Sequence, residues 1–396
     1  MMQRPAQSDS HLPHLDGMRA VLALYVAVHH CYLSIWPIDR GAGLPAAAVG
    51  RAVNWLLFGR LAVAGFIAVS GYCLMLPVAR GDGILRGGAK RFYLKRGRRI
   101  LPTFYAAVVF CAIVGATVAR HFTGTVWDSA LPVTWRAVAV NFLMIQNLFE
   151  RHQINYAFWS IALEWQIYFC FPLLVILFRR SPGWTTLAVA VTTPVARHFL
   201  AYKIFSHLWI HNLAIHYLGI FALGMFAANV TYRPAPWPWK NPATVRRLAL
   251  LATAVFIGLC YYWGGVDTPA LPSEMLAGVV LALWLIVWGG PAGITKSILQ
   301  WGPLYLVGTF SYSLYLLHAP VIQVVWQLVI HPLHLSGLAG FGALVAIAIP
   351  ACIGVAWLFF LIFERPFMSS RQKRAVHEAE AALASADRST AQSHVV

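Results

Sequence analysis

The chain has 396 residues, of which 59 % are hydrophobic and 11 % charged, with 30 Lys and Arg against 13 Asp and Glu. A soluble fold needs roughly 25 % charged residues to cover its surface, so the composition excludes one and predicts an all-α, polytopic transmembrane helix bundle. The net charge of +17 falls between apolar runs, where topology and lipid headgroups explain it, and so argues against a nucleic-acid partner.

In chain order, residues 1–14 are polar and no cleaved signal is expected, because the first apolar run lacks a small-residue cleavage site and more runs follow. Eleven runs approach or exceed the roughly 17–25 residues that cross a bilayer. They lie near 15–37, 52–76, 99–119, 132–149, 156–178, 183–198, 208–230, 248–264, 272–291, 303–328 and 338–363. In the first run Arg19 and His30 are eleven residues apart, about 1100° of helix rotation, so they share a stripe with about 16 Å between them along the axis. Asp16 lies a turn below Arg19, and His29 points about 100° away from His30. Two readings of this stripe stand open. In one, Arg19 and His30 are functional; in the other, Arg19 snorkels to the headgroups and His30 only packs.

The second run holds Arg60 and Ser70, and segment 77–99 then carries eight Lys and Arg, ending in KRGRRILP. The positive-inside rule puts this segment, read as a loop, in the cytoplasm, and the N-terminus with it. Ten crossings keep the later basic segments inside if 132–149, rich in Trp, Asn and Gln, is re-entrant or lies at the outer interface. Both termini are then cytoplasmic. The weakest span is 183–198, interrupted by Pro194. The basic segment could set topology alone, or its Arg96 and Arg99 could bind a phosphorylated ligand through paired, charge-assisted bonds.

The fifth run opens NYAFWSIALEWQIYF, with Trp159 and Trp165 as candidate interfacial anchors and Glu164 in an apolar context. A carboxylate at that depth needs a partner, expected to be His30, His318 or Arg60, or else a proton. A histidine and a carboxylate at matching depth fit acid–base chemistry, and they fit a proton pathway equally. Ser70, Ser160 and Ser311 lie in no GxSxG elbow. The six Cys form no CxxC pair, and no metal cluster, P-loop or Rossmann glycine loop is found. After Arg371 a short amphipathic helix, 375–384, is expected. The domain division is thus a cytoplasmic segment 1–14, a membrane domain 15–367 and a cytoplasmic tail 368–396.

These motifs, taken together, resemble the membrane-bound acyltransferase-3 family. HLDGMRAVLALYVAVHH is similar to the family opening, in which an Arg and a His are separated by ten residues, here Arg19 and His30. VAGFIAVSGYCL around Ser70, RGRRILP with Arg96, Arg99 and Pro102, and FWSIALEWQIYFCFP with Trp159, Ser160, Glu164 and Tyr168 follow in the family order. GTFSYSLYLLHAPV then supplies Ser311, Tyr312, Tyr315, His318 and Pro320, and FERPF supplies Glu364 and Pro366. Trp165 stands where a second carboxylate is common, a departure that bears on acyl or acceptor preference. The chain length leaves no room for the extracytoplasmic SGNH domain fused to some members, so the standalone form is expected.

The resemblance implies an enzyme of the cell inner (plasma) membrane that transfers an acyl group, acetyl foremost, from acyl-CoA as co-substrate. The acceptor would be a hydroxyl of a polysaccharide, lipopolysaccharide, glycolipid or small molecule. No metal and no permanently bound cofactor is expected; the partners are acyl-CoA, the acceptor and membrane lipids. It implies His30 as base, oriented or helped by Glu164, with Arg19 also catalytic. Arg96, Arg99, Ser70 and Tyr168 would bind CoA; Trp159, Arg60, Ser311, Tyr315 and His318 would bind substrate or support the site. The alternative is a proton-coupled transporter or exporter of a lipid-linked or glycan substrate, using His30, Glu164 and His318 as a relay. The heavy basic segment and the lack of an inverted repeat favour the enzyme. A non-catalytic scaffold for envelope synthesis is a third reading.

Overall fold

A computed structural model describes residues 11–37, 49–50, 53–148, 153–200, 214–233, 241–263, 270–370, 372–374 and 376–380. The described residues form an all-α bundle. In chain order its helices are α1 (Pro13–Ile35), α2 (Gly59–Arg80), α3 (Gly88–Ala116), α4 (Trp135–Phe142), α5 (Trp159–Arg180), α6 (Pro182–Phe199) and α7 (Tyr217–Tyr232). There follow α8 (Pro242–Trp263), α9 (Ala270–Gly289), α10 (Ile294–Leu299), α11 (Gly302–Thr309), α12 (Ser311–Val325) and α13 (Gly337–Phe359). Eight of them, α1, α2, α3, α5, α8, α9, α12 and α13, are long and apolar enough, counting their flanking turns, to cross a membrane. Helices α6 and α7, with 18 and 16 residues, fall outside that set.

The 132–149 run makes only α4 and a 3-10 turn at Gln146–Leu148, with Asn141, Gln146 and Asn147 buried. Two expectations are corrected. The basic segment is not a loop throughout: Lys90 to Arg99 occupy the first three turns of α3. Lys, Arg and Leu are good helix formers, and the left-handed Gly87 and Gly88 (φ +84° and +70°) make the turn that precedes it. The 303–328 run is likewise not one helix, since Phe310 leaves the helical region (ψ 18°) and separates α11 from α12. The residues that open α12, Ser311 and Ser313, are buried.

Close backbone contacts set the centre. A Cβ on Gly71 of α2 would lie 2.2 Å from the Phe221 carbonyl oxygen of α7, and one on Gly224 would lie 1.9 Å from that of Ala68. Small residues let transmembrane backbones approach this closely, where dispersion rather than hydrophobic exclusion holds helices together. Gly224→Ala is therefore expected to force the two helices apart and destabilise the fold by about 1–3 kcal/mol. The readout is thermal unfolding in detergent; an unchanged melting temperature would show that the contact relaxes at no cost.

Candidate active site

A cavity of about 410 Å³ lies among α1, α2, α3, α5, α11 and α12. One end is basic, formed by Arg80, Arg96 and Arg99; Arg19, Cys73, Ser70, Tyr168 and Glu164 line the middle, and Ser160 and Tyr315 the far end. Ser160, Glu164 and Tyr168 are successive turns of α5, as Ser311, Tyr315 and His318 are of α12. Helices α1 and α12 thus run away from the basic end, whereas α2 and α5 run toward it.

The arginines differ in how they are held. Arg19 Nη1 donates to Asp16 Oδ1 at 3.0 Å and Nη2 to Cys73 Sγ at 3.3 Å. Arg99 Nη2 donates to Glu364 Oε1 at 2.6 Å, and the wholly buried Glu364 also accepts from Ser313 Oγ at 2.5 Å and Ser313 N at 3.2 Å. Arg99 Nη1 is buried with no hydrogen-bond partner among the described residues. The Arg96 guanidinium lies 6.0 Å from the Phe92 ring, and no ion pair holds it among the described residues. The ion pair from Arg99 to the FERPF segment ties α3 to the end of α13.

The expected partner of Glu164 is corrected: it meets neither His30, His318 nor Arg60. Its Oε1 accepts from the Tyr168 hydroxyl at 2.5 Å, and that hydroxyl is 2.9 Å from Ser70 Oγ. A phenol has one proton to donate, so Tyr168 gives it to Glu164 and Ser70 donates to Tyr168. The reason is the direction of α5: one turn beyond Ser160, Glu164 has already moved toward the arginines.

His30 has a different partner. Its Nδ1 is 2.9 Å from His318 Nε2, and His318 Nδ1 is 2.7 Å from the Tyr315 carbonyl oxygen. A carbonyl can only accept, so neutral His318 carries its proton on Nδ1 and presents a lone pair at Nε2. His30 must then donate from Nδ1, which leaves the lone pair on its own Nε2. The two rings stack at 4.9 Å, and Tyr156 covers His30 at 4.6 Å. His29 is engaged elsewhere, its Nδ1 donating to the Leu56 carbonyl at 2.5 Å. Tyr315 connects this pair to the cavity: its hydroxyl is 2.7 Å from Ser160 Oγ and its ring 5.6 Å from that of His318. Ser311 also lines the cavity, with its hydroxyl returned to the Gly308 carbonyl at 2.8 Å.

Arg60 belongs to a second cluster. Its Nε donates to the buried Glu274 at 2.7 Å, the other Glu274 oxygen is 2.5 Å from His216 Nε2, and its guanidinium lies 5.3 Å over the Trp159 ring. Sequence reasoning missed Glu274 and His216. The signal that could have found the cluster is that Glu274 is an acid within an apolar run, subject to the same burial cost as Glu164.

A family model described as an acyltransferase domain, the acyltransferase-3 model, matches residues 12–361. The chain is 24 % identical over 351 residues to a Bacillus subtilis protein provisionally named a peptidoglycan O-acetyltransferase, covering 81 % of this chain and 50 % of that one. It is 19 % identical over 356 residues to the peptidoglycan O-acetyltransferase of Listeria monocytogenes, covering 82 % and 51 % respectively. A Staphylococcus aureus protein provisionally named an O-acetyltransferase matches at 25 % over 179 residues, covering 42 % of this chain and 25 % of its own. The chain thus spans about half the length, or less, of the curated relatives it matches. No solved structure matches it.

Proposed function

Because the chain belongs to the acyltransferase-3 family of multi-pass inner (plasma) membrane proteins, we propose that it transfers an acyl group, acetyl foremost, from cytoplasmic acyl-CoA to a hydroxyl of a glycan, glycolipid or related acceptor. The observation that carries the reading is a single path: a cavity that opens among arginines and ends at Tyr315, whose carbonyl fixes the tautomer of His318 and, through it, of His30. In this reading the CoA phosphates meet Arg96 and the buried Nη1 of Arg99, while the pantetheine arm passes Ser70, Tyr168 and Arg19. The acceptor oxygen attacks the thioester carbonyl, and His30 Nε2 takes the hydroxyl proton. The C–S bond then breaks, and the proton passes to the departing CoA sulfur, giving an ester and a thiol. His318 acts as the positioning residue that Glu164 was expected to be; Glu164 instead orders the Tyr168 and Ser70 hydroxyls along the passage.

A proton-coupled transporter would use the same histidine pair but would not need a cavity lined at one end by arginines. The test is incubation of purified protein with acetyl-labelled CoA and envelope glycan and lipid fractions. Label moving into an ester on either fraction supports the reading, and none moving with any fraction rejects it.

The orientation is part of the proposal. Ten crossings, made by the eight long helices with α6 and α7, place both termini and the arginine-rich end in the cytoplasm. Leu85→Cys and Lys240→Cys, the second outside the described residues, should then both react only with a thiol reagent supplied from the cytoplasmic side. Labelling of the two from opposite sides would break the scheme.

A further inference from the structure

The basic mouth is short of both space and charge for a whole CoA. Its 410 Å³ falls in the lower part of the roughly 300–1,000 Å³ range of drug-sized pockets, and CoA is larger than a drug-sized ligand. The nucleotide end of CoA carries a diphosphate and a 3′-phosphate. Of the cavity's arginines, Arg19 is already paired with Asp16 and Arg99 with Glu364.

A second, open cavity of about 1600 Å³ adjoins the first, with Arg80 in the wall of both. It lies among the ends of α2, α7, α8 and α9 and the turn before α3. Arg80, Arg86, Arg233 and Arg246 line it, with Asp82 its one carboxylate. Asp82 answers Arg86 at 3.3 Å, through side chains that are both about three-quarters exposed. Arg233 rests directly on the turn: a Cβ on Gly83 (φ +76°) would lie 1.7 Å from its Nη2. Arg80 is spread over the Tyr232 ring at 4.4 Å, and Trp284 gives a second aromatic wall.

We propose that this groove holds the adenosine end of acyl-CoA, with its 3′-phosphate on Arg233 and Arg246, while the diphosphate stays at Arg96 and Arg99 beside the shared Arg80. An anionic phospholipid headgroup would offer the same phosphate chemistry. Two features favour the nucleotide: the shared Arg80 wall, which lets one molecule occupy both cavities, and the aromatic sides, which suit adenine. The inference rests on the acyl-CoA reading above and deepens it.

The test is CoA binding to the full chain in nanodiscs of zwitterionic lipid, with and without added cardiolipin. Arg246 is exposed, so Arg246→Ala should leave the fold intact and weaken CoA binding by about tenfold, the loss of one charge-assisted contact. Arg233→Ala provides a second variant, and Arg136→Ala on α4 controls for net charge and should change nothing. Adenosine 3′,5′-bisphosphate should compete with CoA on the unaltered chain and compete more weakly on the Arg246 variant. CoA affinity unchanged in both groove variants would overturn the proposal. So would cardiolipin binding that both substitutions abolish while CoA affinity stays the same. If the unaltered chain binds no CoA at all, the acyl-CoA reading itself falls, an outcome separate from either of these.

Discussion

Replacing His30 with alanine is expected to lower turnover by roughly 10²–10⁴-fold while leaving acyl-CoA affinity close to that of the unaltered chain. The expectation follows from the tautomer chain. The Tyr315 carbonyl fixes the proton of His318 on Nδ1, so His30 must spend its own Nδ1–H on His318 and keep the Nε2 lone pair for a hydroxyl proton. His29 cannot substitute, since its Nδ1–H is committed to the Leu56 carbonyl. His29→Ala should therefore cost little turnover, although removing a half-buried ring can lower yield. His318→Ala should lie between the two, because it removes the group that holds the tautomer but leaves the base. His318→Gln offers a carbonyl oxygen to the same Nδ1–H and should recover part of that loss, which a purely packing role would not predict. The measurement is kcat and CoA affinity for the four variants purified side by side. Near-normal turnover in His30→Ala would falsify its assignment as base.

What the sequence revealed, and what it hid, divides along a physical line. Periodicity within one helix is legible: Arg19 and His30 on one stripe, and His29 off it, follow from 3.6 residues per turn. The buried cost of charge is legible too, since Glu164, Arg60 and His318 each stood out in an apolar run. What cannot be read is which helices neighbour one another. Glu164 and His30 were matched by depth alone. Depth places a residue along the membrane normal but says nothing about the direction in which its helix presents it. The structure pairs His30 with His318 and gives Glu164 to Tyr168. The same ignorance hid the triad of Arg60, Glu274 and His216, whose members come from three helices or their flanks. The start of α3 was misread for another reason. A run of like charges reads as a solvated loop, whereas Lys and Arg hold helical geometry well.

Arg99→Ala is expected to destabilise the fold by about 3–5 kcal/mol, the usual cost of leaving one member of a buried ion pair uncompensated. Arg96→Ala is expected to leave stability nearly unchanged. From sequence the two arginines look equivalent, and replacing both would be expected to spare folding. The structure separates them. Glu364 is wholly buried, and two of its three hydrogen bonds, from the Ser313 hydroxyl and amide, supply no positive charge; Arg99 supplies the charge, at 2.6 Å. Removing the guanidinium strands a carboxylate at the junction of α3, α12 and the end of α13. Arg96 has no such dependent, so its loss should appear as weaker CoA binding rather than as unfolding. A double-mutant cycle separates the effects. Glu364→Gln removes the charge, keeps acceptor and donor groups for Ser313, and should restore most of the stability lost in Arg99→Ala, because the stranded charge is what costs. The coupling between the two sites should therefore be about 2 kcal/mol or more. Thermal unfolding of the four proteins in one detergent, with CoA affinity measured in parallel, gives both quantities. Equal melting temperatures for Arg96→Ala and Arg99→Ala, or no recovery on adding Glu364→Gln, would show that this ion pair does not anchor the basic end of the cavity.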